Sequence, residues 1–343
     1  MKILIIKLSA IGDVVQTLPA LEAIKKTYPD SEITWVVEEA AAGILEGHPL
    51  IDRLLISRRK TWLRLLKSPF TVHKGYGDIT GFVRDLRSIR YDIAIDFQGL
   101  FKSGVVIGLA RADRKIGFDR TREFSYLFLN ERLPAYDLEK HALDRYLDVA
   151  RYLGAKDVSP SCTLSMEQEL ATIRRRLSVI KPADRRLVVM NPAARWKTKL
   201  WPEPQFAELA DRLIQEKNMV VIFTGSLDDR RMNEGICALM KRGVAAKNWA
   251  GETTLKELAA LASLSDVFIT TDTGSMHLAA AAGAKVVALF GPTAPWRTGP
   301  YGPSNTVIRT GIECSPCFQR TCGNNMKCMA GITVEEVMRK LPL

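Results

Sequence analysis

The 343-residue chain reads as an α/β protein made of two Rossmann-like domains, each with a parallel sheet, facing a cleft. Three observations predict this. Short apolar, β-branched runs alternate with helical stretches along the chain. Several of these runs end in turns holding Gly, Ser, Thr or Asp, as strands do where they feed helices in doubly wound sheets. The pattern occurs twice, on either side of a stretch rich in Gly, Pro and polar residues at about 154–186.

In the first half the strand candidates are 2–8 (KILIIKL), 33–37 (ITWVV), 91–97 (YDIAIDF) and 115–118 (KIGF). Helices over 14–28 and 40–47 lie among the stretches between them. In the second half the strands are 187–191 (LVVMN), 219–224 (MVVIFT), 267–271 (VFITT) and 285–290 (KVVALF). Helices over 203–217, 229–242, 255–263 and 275–282 separate those. The expected layout is a first domain at 1–155, a connection at 156–185 that includes the helix "MEQELATIRRRL", a second domain at 186–325, and a C-terminal helix at 326–343.

A hydrophobic content of 47% with 25% charged residues is that of a soluble globular protein. No apolar run approaches the ~20 residues that a spanning helix needs. "MKILIIKLSAIGD" does not read as a signal peptide, so the expected compartment is the cytoplasm. Neither half carries G-x-G-x-x-G, a P-loop, H-E-x-x-H or G-x-S-x-G, which argues against NAD, kinase, zinc-protease and serine-hydrolase chemistry.

A net charge of +11 calls for an anionic partner. The excess is concentrated: residues 53–77 hold seven Lys or Arg and no acid. There Arg58, Arg59, Lys60, Arg64 and Lys67 alternate with Trp62, Leu63, Leu65 and Leu66. Such a segment suits a membrane interface, or equally a solvated helix packing Leu and Trp on its own domain. A nucleic-acid binder would spread its basic residues over one face; here they keep to one segment, so no nucleic-acid partner is expected.

Candidate chemistry sits in the strand-to-helix turns. In "KLSAIGDVVQ", Asp13 is either a helix-start acid meeting the macrodipole or a catalytic base at a ligand-binding turn. In "FITTDTGSMHLAAAAGAK", Asp272, Thr273, Gly274 and Ser275 open a helix, where free N–H groups favour an anion, and His277 follows on that helix. Gly291-Pro292-Thr293 repeats the turn one unit later. "ARWKTKLWPE" sets Arg195, Lys197 and Lys199 before a helix, cations able to neutralise a diphosphate. After Thr224-Gly225-Ser226, Asp228 or Asp229 is either a ribose-binding acid or an N-cap. Cys314, Cys317, Cys322 and Cys328 fall within fifteen residues, a spacing that fits a structural zinc site, a cluster or simply metal-free thiols.

Together, "SAIGDVVQTLPAL", "IDFQGLFKSG", "KLWPE" and "TDTGSMHLAAAAGAKVVALFGPTAPWRTGPYG" resemble family 9 glycosyltransferases, the ADP-heptose:lipopolysaccharide heptosyltransferases, over residues 1 to about 310. "DFQGLFKSG" is more similar to the heptosyltransferase I type, which adds the first heptose to Kdo of lipid A. The resemblance implies a GT-B fold and inverting, metal-independent transfer from ADP-heptose to Kdo-lipid A, with no cofactor required. It also implies that Asp13 is the base and that Lys199 binds the donor phosphates. Asp272, Thr273 and Gly274 would hold heptose and diphosphate, His277 would stand behind them, and Asp228 would bind ribose. Arg58, Arg59, Lys60, Arg64, Lys102 and Arg120 would meet the anionic acceptor and the inner-membrane surface, giving a peripheral protein on the cytoplasmic face. Lys102, within "GLFKSG", would be nearest the acceptor. Any metal on the cysteines would be structural.

Overall fold

A computed structural model describes residues 1–241 and 246–342. The last residue of the expected 229–242 helix, and residue 343 of the expected C-terminal helix, lie outside these. The chain forms two compact units, Met1–Ser165 and Met166–Leu343.

In the first unit, strands β1 (Lys2–Ile6), β2 (Glu32–Glu38), β3 (Arg53–Ser57), β4 (Arg90–Asp96), β5 (Arg111–Phe118) and β6 (Glu131–Leu133) make one parallel sheet in the order β3-β2-β1-β4-β5-β6. β1 lies at its centre, and Ile3, Leu4, Ile5 and Ile6 are fully buried. A strand covered on both faces needs an unbroken apolar run, which "ILII" supplies.

The second unit repeats the plan with β7 (Arg186–Asn191), β8 (Met219–Phe223), β9 (Ala246–Asn248), β10 (Val267–Thr271), β11 (Val286–Leu289) and β12 (Thr306–Ile308). Its order is β12-β11-β10-β7-β8-β9, all parallel. Renumbered within each unit, both orders are 3-2-1-4-5-6. Each sheet therefore reverses direction once, between β1 and β4 and between β7 and β10. Ligands of such sheets bind outside the strand C-termini at that reversal.

The eight expected strands are present. The four that sequence patterning missed (β3, β6, β9 and β12) are the four sheet edges. Three of them are only three residues long, and β3 is mostly half-buried. Edge strands need no continuous apolar run, so their signal is weak. β5 also starts four residues earlier than expected, through the largely exposed stretch Arg111–Arg114.

The helix Glu167–Ile180, expected in the connection, belongs to the second unit. It packs on the helix Leu255–Ser263, and Arg176 lies over Trp249 at 4.0 Å and donates to Glu252. The C-terminal stretch forms two short helices, Lys327–Ala330 and Val334–Arg339. Met329, Ile332 and Val337 bury themselves in the second core, where Trp201 Nε1 donates to Ile332 O at 2.9 Å. Among the described residues no helix is long and apolar enough to cross a membrane.

Candidate active site

In the first unit the chain leaves β1 at Lys7, turns through Leu8–Ala10 and enters the helix Ile11–Thr27. The turn is tied to the loop after β4: Gln98 Oε1 accepts from Leu8 N–H (3.1 Å) and Ser9 N–H (2.9 Å). This is the reversal point of the sheet. Asp13, the third residue of the helix, accepts from Ala10 N–H on Oδ2 at 2.9 Å. Its other oxygen, Oδ1, accepts from the Tyr146 hydroxyl at 3.1 Å. Tyr146 in turn accepts from Lys7 Nζ at 2.7 Å, and Lys7 also donates to Phe97 O at 3.1 Å.

The cap engages Oδ2, and a neutral phenol holds Oδ1. Lys7 is only 2% exposed; burial pushes its pKa below the usual lysine range, against the pull of Asp13 and Asp96. Burial first, and then the Asp13 charge, pushes Tyr146 well above the usual tyrosine range, so it stays a hydrogen-bond donor. A carboxylate held this way keeps lone pairs for an incoming proton. Neither Lys7 nor Tyr146 was expected in the site. Lys7 sat inside an apolar strand run, and Tyr146 lies 133 residues from Asp13.

The basic residues of this unit are less free than their run of sequence suggests. Lys102 Nζ donates to Ser9 Oγ at 2.6 Å and to Glu38 Oε1 at 2.8 Å, beside the Asp13 turn. Arg59 shares Glu38 at 3.5 Å, and Arg58 faces Glu39 at 3.6 Å. Those acids are the last residue of β2 and the one after it, outside the run, and only folding brings them there. Lys60 and Arg64 are exposed, whereas Arg120, exposed and with φ 49°, lies 3.9 Å from Asp119. Trp62 packs on Phe82 of its own unit with ring centroids 5.2 Å apart, whereas Leu63, Leu66, Phe70 and Tyr76 stay exposed. The helix Arg59–Leu65 buries no residue.

In the second unit the 3-10 turn Lys197–Lys199 follows β7, and Asp272 follows β10, again at the reversal point. Lys199 Nζ donates directly to Asp272 Oδ2 at 2.6 Å, and Thr293 Oγ1 donates to the same oxygen at 2.6 Å. Asp272 is 7% exposed. Thr273 stands at the N-cap position of the helix Gly274–Ala281 without a side-chain cap bond, and Ser275 Oγ on that helix accepts from the buried Asn191 at 3.2 Å. His277 is half-buried on that helix. Asp229 accepts from Ser226 N–H and its hydroxyl, which makes it the cap; Asp228 is exposed, with no hydrogen bond or ion pair among the described residues. Of the two acids, Asp228 is the one left to meet a ligand.

Arg320 was not expected here. Its guanidinium and Lys199 Nζ both lie against the Trp196 ring, at 5.1 and 4.7 Å. It comes from the cysteine-bearing loop, which braces both turns: Thr198 donates to Gln319 O at 2.9 Å, Phe318 N–H to Pro292 O at 2.7 Å, and Ser315 Oγ to Gly291 O at 2.6 Å. Of the four cysteines, Cys314, Cys317 and Cys322 lie near enough to Cys328 to add to the upward push that burial gives its thiol. Cys314 and Cys322 are exposed, Cys317 is half-buried, and Cys328 is buried in the core. Among the described residues no three His, Cys, Asp or Glu side chains form a metal-holding group.

Two six-stranded parallel sheets in the 3-2-1-4-5-6 order are the arrangement of the GT-B glycosyltransferases, whose solved members this chain superposes on. The model of Glycosyltransferase family 9 (heptosyltransferase) matches residues 79–328, and the chain belongs to that family. It is 30% identical over 324 residues to lipopolysaccharide heptosyltransferase 1 of Pseudomonas aeruginosa, covering 94% of this chain and 87% of that one. The structure of E. coli ADP-heptose lps heptosyltransferase II superposes with a TM-score of 0.79 at 25% identity, covering 99% and 97% of the two chains. E. coli heptosyltransferase WaaC with ADP gives 0.78 at 24%, covering 99% and 98%.

Proposed function

We propose that the protein transfers heptose, with inversion, from ADP-L-glycero-D-manno-heptose to a hydroxyl of Kdo in lipid A, building the lipopolysaccharide inner core without a metal. The observation that carries this reading is the Asp13 carboxylate at the β1–β4 reversal, held by a neutral donor while a buried lysine stands one residue further back. Asp13 takes the acceptor hydroxyl proton as that oxygen attacks C1 of the heptose. The bond from C1 to the phosphate oxygen breaks, and ADP leaves with the electron pair. Lys199 and Arg320 offset the charge that develops on the diphosphate, which is the part a metal plays elsewhere. Asp272, Thr273 and Gly274 bind heptose and diphosphate, with His277 behind them, and Asp228 binds the ribose diol.

On the acceptor side, Lys102, Arg120, Lys60 and Arg64, with Arg58 and Arg59, meet the phosphates and carboxylates of Kdo-lipid A. The same face rests on the anionic inner membrane from the cytoplasmic side. Zinc on Cys314, Cys317, Cys322 and Cys328, where bound, is structural and brings no chemistry to the transfer.

Offering ADP-heptose with Kdo-lipid A, and separately with an already heptosylated acceptor, tests the reading. Product from the first alone is expected. A second reading, addition of the second heptose, is favoured by the likeness to heptosyltransferase II, and product from the heptosylated acceptor alone would establish it.

A further inference from the structure

At the C-terminal ends of β4 and β5 a small cavity of about 60 Å³ opens beside Tyr146, with Asp96, Gln98, Thr121, Tyr136 and Arg145 in its walls. At roughly 15 Å³ per water-sized group it has room for about four such groups, enough for a carboxylate but not for a sugar ring.

Arg145 is the cation of this cavity. It precedes Tyr146 on the helix Ala142–Tyr152, so one turn of helix serves both the candidate base and the cavity. Its guanidinium lies over the Tyr136 ring at 4.6 Å, and that ring meets Phe118 edge-on at 5.3 Å. Its Nε is buried with no hydrogen-bond partner, and no carboxylate among the described residues pairs with it. Arg145 itself is half-buried, and its buried Nε–H has a hydrogen bond still to give. Lys102 and Arg59, by contrast, share the carboxylate of Glu38. Asp96, the acid of the same wall, is already engaged. Its Oδ1 accepts from Gln98 and Gly99 N–H, and its Oδ2 from Ser103 Oγ.

We propose that this cavity is a subsite for the carboxylate of a sugar-acid acceptor, with the Arg145 guanidinium as its partner. The proposal rests on the reading of Asp13 as base and of a Kdo-type acceptor. A carboxylate seated there is one hydrogen-bonded residue, Tyr146, away from Asp13, so it would hold the sugar beside the base. It would also separate sugar acids from neutral sugars, because a site built to hydrogen-bond a carboxylate disfavours a ligand that leaves its buried donor unpaired.

The test uses the full-length protein, with Arg145→Gln and Arg145→Lys, and two acceptors: a Kdo glycoside with a free carboxylate and its methyl ester. Arg145→Gln is expected to raise KM for the acid about 10- to 100-fold, the worth of one charge-assisted pair, while leaving KM for ADP-heptose and the melting temperature unchanged. The ester, already weak with wild type, should lose nothing more, and Arg145→Lys should recover part of the loss. An unchanged KM for the acid, or equal losses for acid and ester, would overturn the subsite. Calorimetry of free Kdo with wild type and Arg145→Gln adds a readout that needs no turnover. If wild type heptosylates neither acceptor yet binds Kdo through Arg145, the functional reading fails and the subsite stands; if it turns over and Kdo binding ignores Arg145, the reverse holds.

Discussion

The two sheets share a strand order, and each sets a lysine and a carboxylate at its reversal point, yet they wire the pair differently. In the second unit Lys199 touches Asp272 directly at 2.6 Å, with Thr293 on the same oxygen. In the first, Tyr146 stands between Lys7 and Asp13, and Lys7 is sealed from water. In a direct ion pair the ammonium occupies the carboxylate oxygen itself through a charge-assisted hydrogen bond. One that is separated from its lysine by a phenol is held by neutral donors alone, the Tyr146 hydroxyl and the Ala10 N–H. The same scaffold therefore holds its carboxylate by a cation in one unit and by a neutral donor in the other, and a single interposed side chain makes the difference.

The contrast is most exposed to test at Asp13. Asp13→Asn keeps the size of the side chain and a capping oxygen but cannot take a proton. Turnover should fall ~10²–10⁴-fold with donor affinity nearly unchanged. Near-normal turnover with lower stability would reduce Asp13 to its cap.

Next comes the direct pair. Lys199→Ala should weaken ADP and ADP-heptose together by about 10- to 150-fold, the worth of a charge-assisted hydrogen bond of roughly 1.5–3 kcal/mol. Asp272→Asn should spare ADP, since it leaves Lys199 free for phosphate, and weaken the sugar donor selectively. Calorimetry of both ligands on both variants decides, and equal losses for Asp272→Asn would assign it to the diphosphate instead.

Arg58 and Arg59 face Glu39 and Glu38, so the charge left for a lipid surface belongs mainly to Lys60 and Arg64. Changing these two to Gln should lower binding to anionic vesicles about 25-fold at low salt, near fivefold per charge, with less effect as salt rises. Arg58→Gln with Arg59→Gln should do markedly less. Equal losses from the two pairs would mean that the ion pairs open at the membrane.

Tyr146→Phe probes the interposed phenol. Removing one hydrogen bond to the carboxylate should cost about tenfold in turnover at constant KM for donor. A change confined to KM would move Tyr146 from orienting the base to binding the acceptor.

The smallest effect concerns Lys7. Burial holds its folded pKa below the ordinary value of 10.5. The stability contributed by its neutral form is complete above 10.5 and is lost as pH falls through the lowered folded pKa. Wild type should therefore gain stability relative to Lys7→Met as pH rises through that window. Parallel melting curves would show that Lys7 does not change protonation on folding.

By itself the sequence determined the sheet interiors and the turns that end them. "KILII", "LVVMN" and "VFITT" are apolar without interruption because a strand buried on both faces has no polar side to show, and Asp13, Lys199 and Asp272 were legible because they follow such strands. The four edge strands were not, since a half-covered strand leaves a mixed pattern. Only the tertiary structure decided which charges meet. Glu38 neutralises Lys102 and Arg59 from another strand's end, Arg320 reaches Trp196 from the cysteine loop, and Tyr146 reaches Asp13 across 133 residues. Periodicity records which face of an element is buried, through interactions three or four residues apart. Electrostatic partnership depends on distance in space, which strand order sets and local sequence does not carry.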